Sequence, residues 1–218
     1  WSRGLGDVYK RQGETRIIIS AFRGVGKSWI TAIYVLWRLY LDPNINILVV
    51  SASKNRADDF STFTLRLINE IEILTHLKPS DSQRQSKVSF DVKPARASHA
   101  PSVKSLGITG QLTGSRSDLV IADDVESANN SATMGMRDKL SEQVKEFESI
   151  LKPQGRIIFL GTMQTEMSLY NVLPTRGYKQ RIWTARYPTK KQVSNFGKIL
   201  APLSMNSFIL GSRSAIIS

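Results

Sequence analysis

A short run, AFRGVGKS at residues 21–28, combines glycine, lysine and a hydroxyl at a spacing that suits a phosphate chain. Glycine lets the backbone approach the phosphates, and N–H groups at a helix N-terminus face the anion. Lysine then reaches the β and γ phosphates, while the hydroxyl ligates magnesium. Ala21 departs from the pattern, which has glycine at this position. The sequence predicts a nucleotide site at Arg23, Gly24, Val25, Gly26, Lys27 and Ser28.

Two carboxylates follow an apolar run later in the chain. Residues 119–124 read LVIADD, so Asp123 and Asp124 stand at the end of an expected buried strand. In P-loop ATPases such a strand lies beside the P-loop strand; its first acid holds magnesium and the next polarises the attacking water. We therefore assign Asp123 to the metal together with Ser28, and Asp124 to catalysis. Glutamate is usual at the second position, so Glu126 is the alternative catalytic acid.

Arg23 and Thr162 suit further roles at the same site. Arg23 lies four residues before Lys27, where a guanidinium could neutralise charge developing on the γ-phosphate, as an arginine finger does. Thr162 follows another apolar run, where a small polar side chain can sense the γ-phosphate and relay hydrolysis. Simpler interpretations remain open: a glycine-rich helix start, an Asp-Asp turn, a surface base at Arg23 and a strand-end turn at Thr162. Co-occurrence of the glycine loop and the acidic pair favours the nucleotide site.

Strand and helix patterns alternate around these residues. Buried strands are predicted at residues 16–21, 46–51, 119–122 and 156–160, because each is a short β-branched or apolar run. Helices are predicted at 29–41, at 137–151, and after Ser53 as N-cap, with apolar residues spaced by three and four. That last pattern comprises Phe60, Phe63, Leu67, Ile71 and Leu74. The βαβα order predicts a parallel sheet with helices on both faces.

The remaining segments are less regular. Residues 87–92 alternate and predict an edge strand, and residues 178–187 alternate base and apolar residue as a further strand would. Residues 93–117 are rich in Gly, Ser, Thr and Pro, which predicts a loop. Within it, Arg116 could reach DNA or the nucleotide of a neighbouring subunit, with an ordinary solvated base as the alternative.

The composition excludes several classes of protein. The 218 residues carry a formal charge of +12, which favours an acidic partner such as nucleic acid or an anionic membrane surface. Cysteine is absent, which excludes disulfide frameworks, thiolate zinc sites and cysteine nucleophiles. The longest apolar stretch, at residues 29–41, is shorter than the ~20 residues that span a bilayer.

The charge is divided between segments. Residues 118–148 hold eight acids and three bases, whereas residues 167–218 hold eight bases and no Asp or Glu. Residues 1–12 (WSRGLGDVYKRQ) have no clear period and resemble translated adapter sequence, so we set them aside as a non-native leader. The apolar final residues, ending SRSAIIS, suggest a cut or altered end.

Four ungapped runs together resemble one family. They are RGVGKSWITA, ILVVSASKNRADDFS, PSVKSLGITGQLTGSRSDLVIADDVE and LKPQGRIIFLGTMQTEMSLY. They are similar to the ATPase domain of the terminase large subunit of short-tailed double-stranded DNA phages, from about residue 16 to residue 188. The resemblance implies an α/β fold, a P-loop NTPase of the additional-strand (RecA-like) type, with a mostly parallel central sheet flanked by helices.

The resemblance also implies a function and a set of site residues. ATP hydrolysis with Mg²⁺ would pull double-stranded viral DNA into a procapsid in the host cytoplasm, with the portal protein, the small terminase subunit and a homo-oligomeric ring as partners. By position, Lys27 and Ser28 match the phosphate and magnesium residues, Arg23 the cis arginine, and Thr162 the coupling motif. Asp123 and Asp124 match the acidic pair.

Domain boundaries follow from the same resemblance. Residues 13–188 would form the ATPase domain, and residues 189–218 a linker or truncated start of a nuclease domain. The nuclease activity of the family is not expected here, because two-metal hydrolysis needs several carboxylates. Residues 167–218 contain no Asp or Glu. DNA would be gripped through its phosphates, with Arg116, Lys179, Arg181, Arg186, Lys190 and Lys191 as candidates. Two other functions stay open: another P-loop nucleic-acid motor such as a helicase, and a basic DNA-binding module with an inactive nucleotide site.

Overall fold

The computed structural model describes residues 14–112, 114–163 and 165–184. The predicted leader, the predicted linker and candidate bases Arg186, Lys190 and Lys191 lie outside these residues. Among the described residues, seven strands form one sheet. In chain order they are β1 (Arg16–Ala21), β2 (Ile47–Ser51), β3 (Ser89–Phe90), β4 (Val103–Gly107), β5 (Ser117–Asp123), β6 (Leu151–Gly161) and β7 (Lys179–Trp183).

Five α-helices lie in the described part of the chain. They are α1 (Lys27–Leu41), α2 (Lys54–Glu70), α3 (Ala128–Ser131), α4 (Met134–Ile150) and α5 (Leu169–Val172). Two 3₁₀ segments, Glu72–Leu77 and Leu173–Arg176, follow α2 and α5. The Ser53 side chain accepts a hydrogen bond from the Arg56 N–H, which confirms Ser53 as the N-cap of α2.

The sheet has the strand order β3-β4-β2-β5-β6-β1-β7. All neighbouring strands are parallel except β3, which pairs antiparallel with β4 at the edge. Strand β6 lies between β1 and β5, so the expectation that the acidic strand lies directly beside the P-loop strand is wrong. This interposed strand defines the additional-strand type, and the predicted α/β fold is confirmed.

The sheet is buried on both faces, which explains the continuous apolar runs. Alternate residues of β1 point to opposite faces: Ile17 and Ile19 pack with α1 and α2, and Ile18 packs with α4 and the start of α5. Each of these three isoleucines is at most 4% exposed. Burying such a side chain stabilises the fold by roughly 1.5–3 kcal/mol.

The structure corrects several predicted elements. Strand β4 lies inside the segment predicted to be loop, and the predicted edge strand is shortened to the two residues of β3. Strand β4 was not predicted because it contains polar residues. One of them, Ser105, is buried, and its hydroxyl lies 2.6 Å from the Ser61 hydroxyl of α2. Helix α2 ends at Glu70, so the apolar pattern continues through Ile71 into a separate 3₁₀ segment.

Candidate nucleotide site

The carboxyl ends of β1, β6 and β5 place the predicted site residues at one edge of the sheet. Ser20 of β1 pairs with Gly161 of β6, and Asp123 of β5 pairs with Leu160 of β6. Because the three strands are parallel, the glycine loop, Thr162 and the acidic pair all begin at the same level. The sheet therefore brings together three segments that are far apart in the sequence.

The loop between β1 and α1 has the backbone geometry that its glycines permit. Gly24 has φ +84° and Gly26 has φ +79°, a left-handed conformation that L side chains rarely adopt. Gly26 is the N-cap of α1, with no side-chain cap and no acid in the first turn of the helix. The helix therefore presents backbone N–H groups and the positive end of its dipole at this edge, as anion binding requires.

Lys27 connects the glycine loop to the end of β6. Its side chain is buried, and Nζ donates to the Thr162 hydroxyl at 2.9 Å and to the Phe22 carbonyl at 3.3 Å. The Thr162 hydroxyl in turn donates to the Ala21 carbonyl at 3.0 Å. The Lys27 ammonium also lies 4.0 Å from Asp124 Oδ2. A single cation thus contacts the predicted sensor and the predicted catalytic acid.

Asp123 has the environment of a metal ligand. The carboxylate is buried, and Oδ1 has no hydrogen-bond partner among the described residues. Burial, with the neighbouring Asp124 charge, raises the pKa of Asp123 to about 6, although Lys27 and Arg56 act in the opposite direction. A buried carboxylate oxygen without a donor is suited to a hard cation such as Mg²⁺. The residues present, Asp123 and the exposed Ser28 hydroxyl at the start of α1, fit this group.

Asp124 follows the strand in a less common backbone conformation. Its φ of +46° is left-handed, which Asp and Asn tolerate better than other L residues. The Asp124 N–H donates to the Leu160 carbonyl of β6 at 2.8 Å, which holds the turn against the neighbouring strand. The side chain is about one-third exposed, so its carboxylate can meet both water and Lys27.

Glu126, the alternative acid, already has partners. Its side chain is buried, and Oε2 accepts hydrogen bonds from the Ser168 hydroxyl at 2.5 Å and the Leu169 N–H at 3.0 Å. Both donors lie at the start of α5. Glu126 therefore ties the end of β5 to the segment that follows β6, a role that its sequence position did not indicate.

Tyr170 also lies at this edge, although the sequence did not single it out. It is fully buried, and its hydroxyl donates to the Leu160 carbonyl at 3.5 Å. Burial, aided by the Asp124 charge, raises its pKa above the usual range of a phenol. A Cβ atom on Gly161 would overlap the Tyr170 ring, so glycine is required beside Thr162.

Of the other predicted contact residues that the structure describes, Arg23 lies at this edge and the rest lie away from it. Arg23 is exposed within the glycine loop, near the predicted phosphate position. Arg116 precedes β5, and Lys179 begins β7, so both are at the amino ends of strands, away from Lys27. Arg181 lies within β7, where its guanidinium is 3.6 Å from the Glu14 carboxylate.

The fold and this geometry define a class. A strand, a glycine loop and a helix hold a buried lysine, an acidic pair ends β5, and β6 lies between the two strands. This is the architecture of an additional-strand P-loop NTPase.

Comparison with known proteins narrows the class. The chain is 53% identical over 197 residues to "Terminase, large subunit" of Enterobacteria phage T3, a match that covers 88% of this chain. The predicted resemblance is therefore confirmed, and the chain is related to phage terminase large subunits. It spans only 34% of the length of this relative. No protein-family model matches the chain.

One solved structure shows a related fold, and a second gives a weaker match. The N-terminal domain of the DNA packaging ATPase from bacteriophage phi29 matches with a TM-score of 0.50 and 13% identity, over 80% of this chain and 84% of that one. The Thermus phage P74-26 large terminase ATPase domain matches with a TM-score of 0.41 and 14% identity, over 71% of this chain and 62% of that one. At such identities only the fold is compared.

None of the helices among the described residues has the length and apolar character needed to cross a membrane. The same residues contain no cluster of three or more His, Cys, Asp and Glu side chains arranged to hold a metal ion. A P-loop magnesium site needs no such cluster, because a hydroxyl, one acid and the phosphates supply its ligands.

Proposed function

We propose that this chain is the motor part of a DNA-packaging protein, in which ATP hydrolysis drives double-stranded viral DNA into a procapsid. The observation that carries the proposal is the meeting of Lys27, Thr162 and Asp124 at one sheet edge, with Lys27 bonded to Thr162. Relation to a terminase large subunit supports the biological setting. Portal protein, small terminase subunit and a homo-oligomeric ring are the proposed partners, in the host cytoplasm.

Different residues of the site bind the phosphates, hold Mg²⁺ and orient the attacking water. Backbone N–H groups from Gly24 to Ser28 hold the phosphates, and Lys27 places its charge between the β and γ groups. Mg²⁺, held by Ser28 and Asp123, would neutralise phosphate charge. Asp124 accepts a hydrogen bond from the attacking water and orients it towards the γ-phosphorus, because its carboxylate is accessible.

Arg23 and Thr162 act on the transferred group and its consequences. Arg23 stabilises charge on the phosphoryl oxygens in the transition state. Thr162 exchanges its bond with Lys27 for contact with the γ-phosphate, and so reports hydrolysis to β6. The contacts of Glu126 with α5 favour Asp124 as the catalytic acid, and Glu126 remains the alternative.

The test compares ATP hydrolysis and duplex binding in wild type and in Lys27→Ala. We expect Mg²⁺-dependent hydrolysis that blunt duplex DNA stimulates without strand separation, and its loss in Lys27→Ala. Lys139→Ala, an exposed lysine of α4, serves as the control and should behave as wild type. Strand separation would indicate a helicase, whereas ATP turnover that is unaffected by Lys27→Ala would reject the motor.

A further inference from the structure

A cleft of about 390 Å³ opens at the sheet edge opposite Lys27. It is formed where β2, β4, β5 and β6 begin, together with loop residues 98–101 and 114–116. Its volume lies within the range of roughly 300–1,000 Å³ that is usual for ligand sites. None of the residues assigned to the nucleotide site lines it.

The charged side chains that line this cleft are cationic. Among the described residues, four bases and no Asp or Glu line it; the four are Arg84, Lys104, Arg116 and Lys152. Two of them have carboxylate partners behind the lining: Arg84 lies 3.6 Å from Asp91, and Lys152 lies 2.8 Å from Asp118.

The unbalanced charge comes from Lys104 and Arg116. Lys104 Nζ donates to the Ser115 hydroxyl at 3.0 Å, and Arg116 is exposed. Within the described part of the chain, neither residue forms an ion pair. The cleft therefore holds about two positive charges that no neighbouring carboxylate neutralises, an arrangement that attracts an anion.

Several of these donors are already held in place. Lys104 and Lys152 extend from strands, and Lys152 Nζ also donates to the Asn46 side-chain oxygen at 2.6 Å. The Arg84 guanidinium donates to the backbone carbonyls of Ser98 and His99, which fixes it at the rim. Donors that are ordered before binding lose less entropy when a ligand arrives.

The lining also indicates which part of a ligand is recognised. Of the residues that the structure describes, four serines line the cleft beside the bases, but no Phe, Tyr or Trp does. Stacking on an aromatic ring is the usual way to hold an exposed base. Phosphate oxygens, in contrast, are bound by lysine, arginine and hydroxyl groups without any such surface.

We propose that this cleft binds phosphate groups of the duplex DNA backbone through Lys104 and Arg116, at the sheet edge remote from the nucleotide. The choice of DNA as the phosphate source rests on the proposed function. Inorganic phosphate and free nucleotide share the same chemistry and are separated by the test.

The experiment measures affinity for a fluorescent duplex at several salt concentrations, without ATP or Mg²⁺. In Lys104→Gln/Arg116→Gln we expect at least tenfold weaker binding at low salt, because two phosphate contacts are lost. The slope of log K against log salt should fall by about 2 in magnitude. Arg116→Gln alone, an exposed change, should give about half this effect and guards against a folding defect in the double variant.

Matched controls separate this site from bulk charge. Lys78→Gln/Lys139→Gln removes the same charge from exposed positions outside the cleft and should leave the slope unchanged. An equal loss in both double variants overturns the proposal. The proposal is also overturned if Lys104→Gln/Arg116→Gln binds DNA normally but no longer binds inorganic phosphate or ATP in calorimetry. That result would assign the cleft to a free anion.

Failure of the proposed function gives a different result. Lys27→Ala leaves the cleft intact, so the salt slope of that variant should match wild type whether or not hydrolysis occurs. A cleft-dependent slope in a chain without ATPase activity would reject the motor and keep the DNA site. An active ATPase whose salt slope is unchanged in Lys104→Gln/Arg116→Gln would keep the motor and reject the DNA site.

Discussion

The chemistry at the nucleotide site depends on single side chains whose surroundings differ sharply. Asp123 and Asp124 are adjacent in the sequence, yet one is buried without a partner on Oδ1 and the other is partly exposed. The left-handed backbone at Asp124 turns its carboxylate away from the path of β5. Two like residues can therefore serve different functions, one as metal ligand and one as catalytic acid.

The two candidate acids can be distinguished by charge-neutral substitutions. Asp124→Asn should lower hydrolysis by about 10²–10⁴-fold with little loss of nucleotide binding, because Asn also tolerates a left-handed backbone. Glu126→Gln should retain most of the hydrolysis. Steady-state ATPase rates and nucleotide affinities measure both variants. A large loss in Glu126→Gln with normal turnover in Asp124→Asn would reverse the assignment.

Arg23 is tested by separating binding from turnover. Arg23→Ala should lower the hydrolysis rate by about 10³-fold or more while ATP binding largely survives, because an arginine finger acts on the transition state. Single-turnover hydrolysis and equilibrium nucleotide binding supply the two quantities. Arg96→Ala, another exposed arginine, is the control. Equal losses of binding and turnover in Arg23→Ala would limit this residue to phosphate binding.

At the scale of elements, contacts between strand ends and helix starts hold the site together. Glu126 links β5 to α5, and Tyr170 of α5 packs on Gly161 at the end of β6. The Leu160 carbonyl accepts from both Asp124 and Tyr170. A shift of β6 would therefore move Asp124 and α5 together.

Gly161→Ala should disturb this packing. Its methyl group would overlap the buried Tyr170 ring, and such overpacking destabilises proteins by about 1–3 kcal/mol. Gly135→Ala is the matched control, since a Cβ there meets nothing within 4 Å inside α4. Because Gly135 is the second residue of α4, the gain should not exceed the helix-interior value of about 0.5–1 kcal/mol. Urea unfolding measures both, and a neutral Gly161→Ala would contradict the close approach.

Glu148 links α4 to β1 and should make stability depend on pH. Burial raises the pKa of Glu148, but hydrogen bonds from Arg16 and Tyr178 outweigh it and hold the value below the ordinary 4.5. A lowered folded-state pKa means that this stabilisation is present above pH 4.5 and is lost as pH falls through the folded value.

Glu148→Gln should therefore destabilise the protein at pH 7 and have little effect at the lowest pH at which the protein stays folded. Because the pair is partly exposed, the expected loss is about 1 kcal/mol or less. Urea unfolding across this pH range, with the exposed Glu146→Gln as control, measures it. A loss that is the same at every pH would mean that packing, not ionisation, is responsible.

At the scale of the whole molecule, the sheet places two sites with different charged groups at its opposite edges. The carboxyl edge carries the acidic pair and the glycine loop, and the amino edge carries the basic cleft. Five-residue strands such as β2 place these edges roughly 15 Å apart. On the two proposals above, nucleotide and DNA would bind at opposite edges of one sheet.

The separation predicts independent effects on binding. Lys27→Ala should weaken nucleotide binding, Lys104→Gln/Arg116→Gln should weaken DNA binding, and the combined variant should show both losses unchanged to within about 0.5 kcal/mol. Calorimetry with nucleotide and a duplex titration measure the two affinities. A larger deviation would reveal energetic coupling through the sheet.

The sequence by itself determined the chemical groups and most of the elements near them. The glycine loop, the acidic pair and the runs that became β1, β2, β5 and β6 are local patterns, and local backbone preferences suffice to read them. Strand β4 was missed because its polar Ser105 is satisfied only by Ser61 of another element. Helix α2 was predicted to be too long, because the apolar spacing continues past its end into the 3₁₀ segment Glu72–Leu77.

Only the tertiary structure decided which distant groups meet. The insertion of β6 between β1 and β5, the contacts of Glu126 with α5 and the gathering of Lys104 and Arg116 in one cleft all depend on strand order. Strand order is set by how crossovers bury both faces of the sheet, which no local sequence pattern encodes. The burial that raises the pKa of Asp123 likewise arises only when the sheet and its helices exclude water.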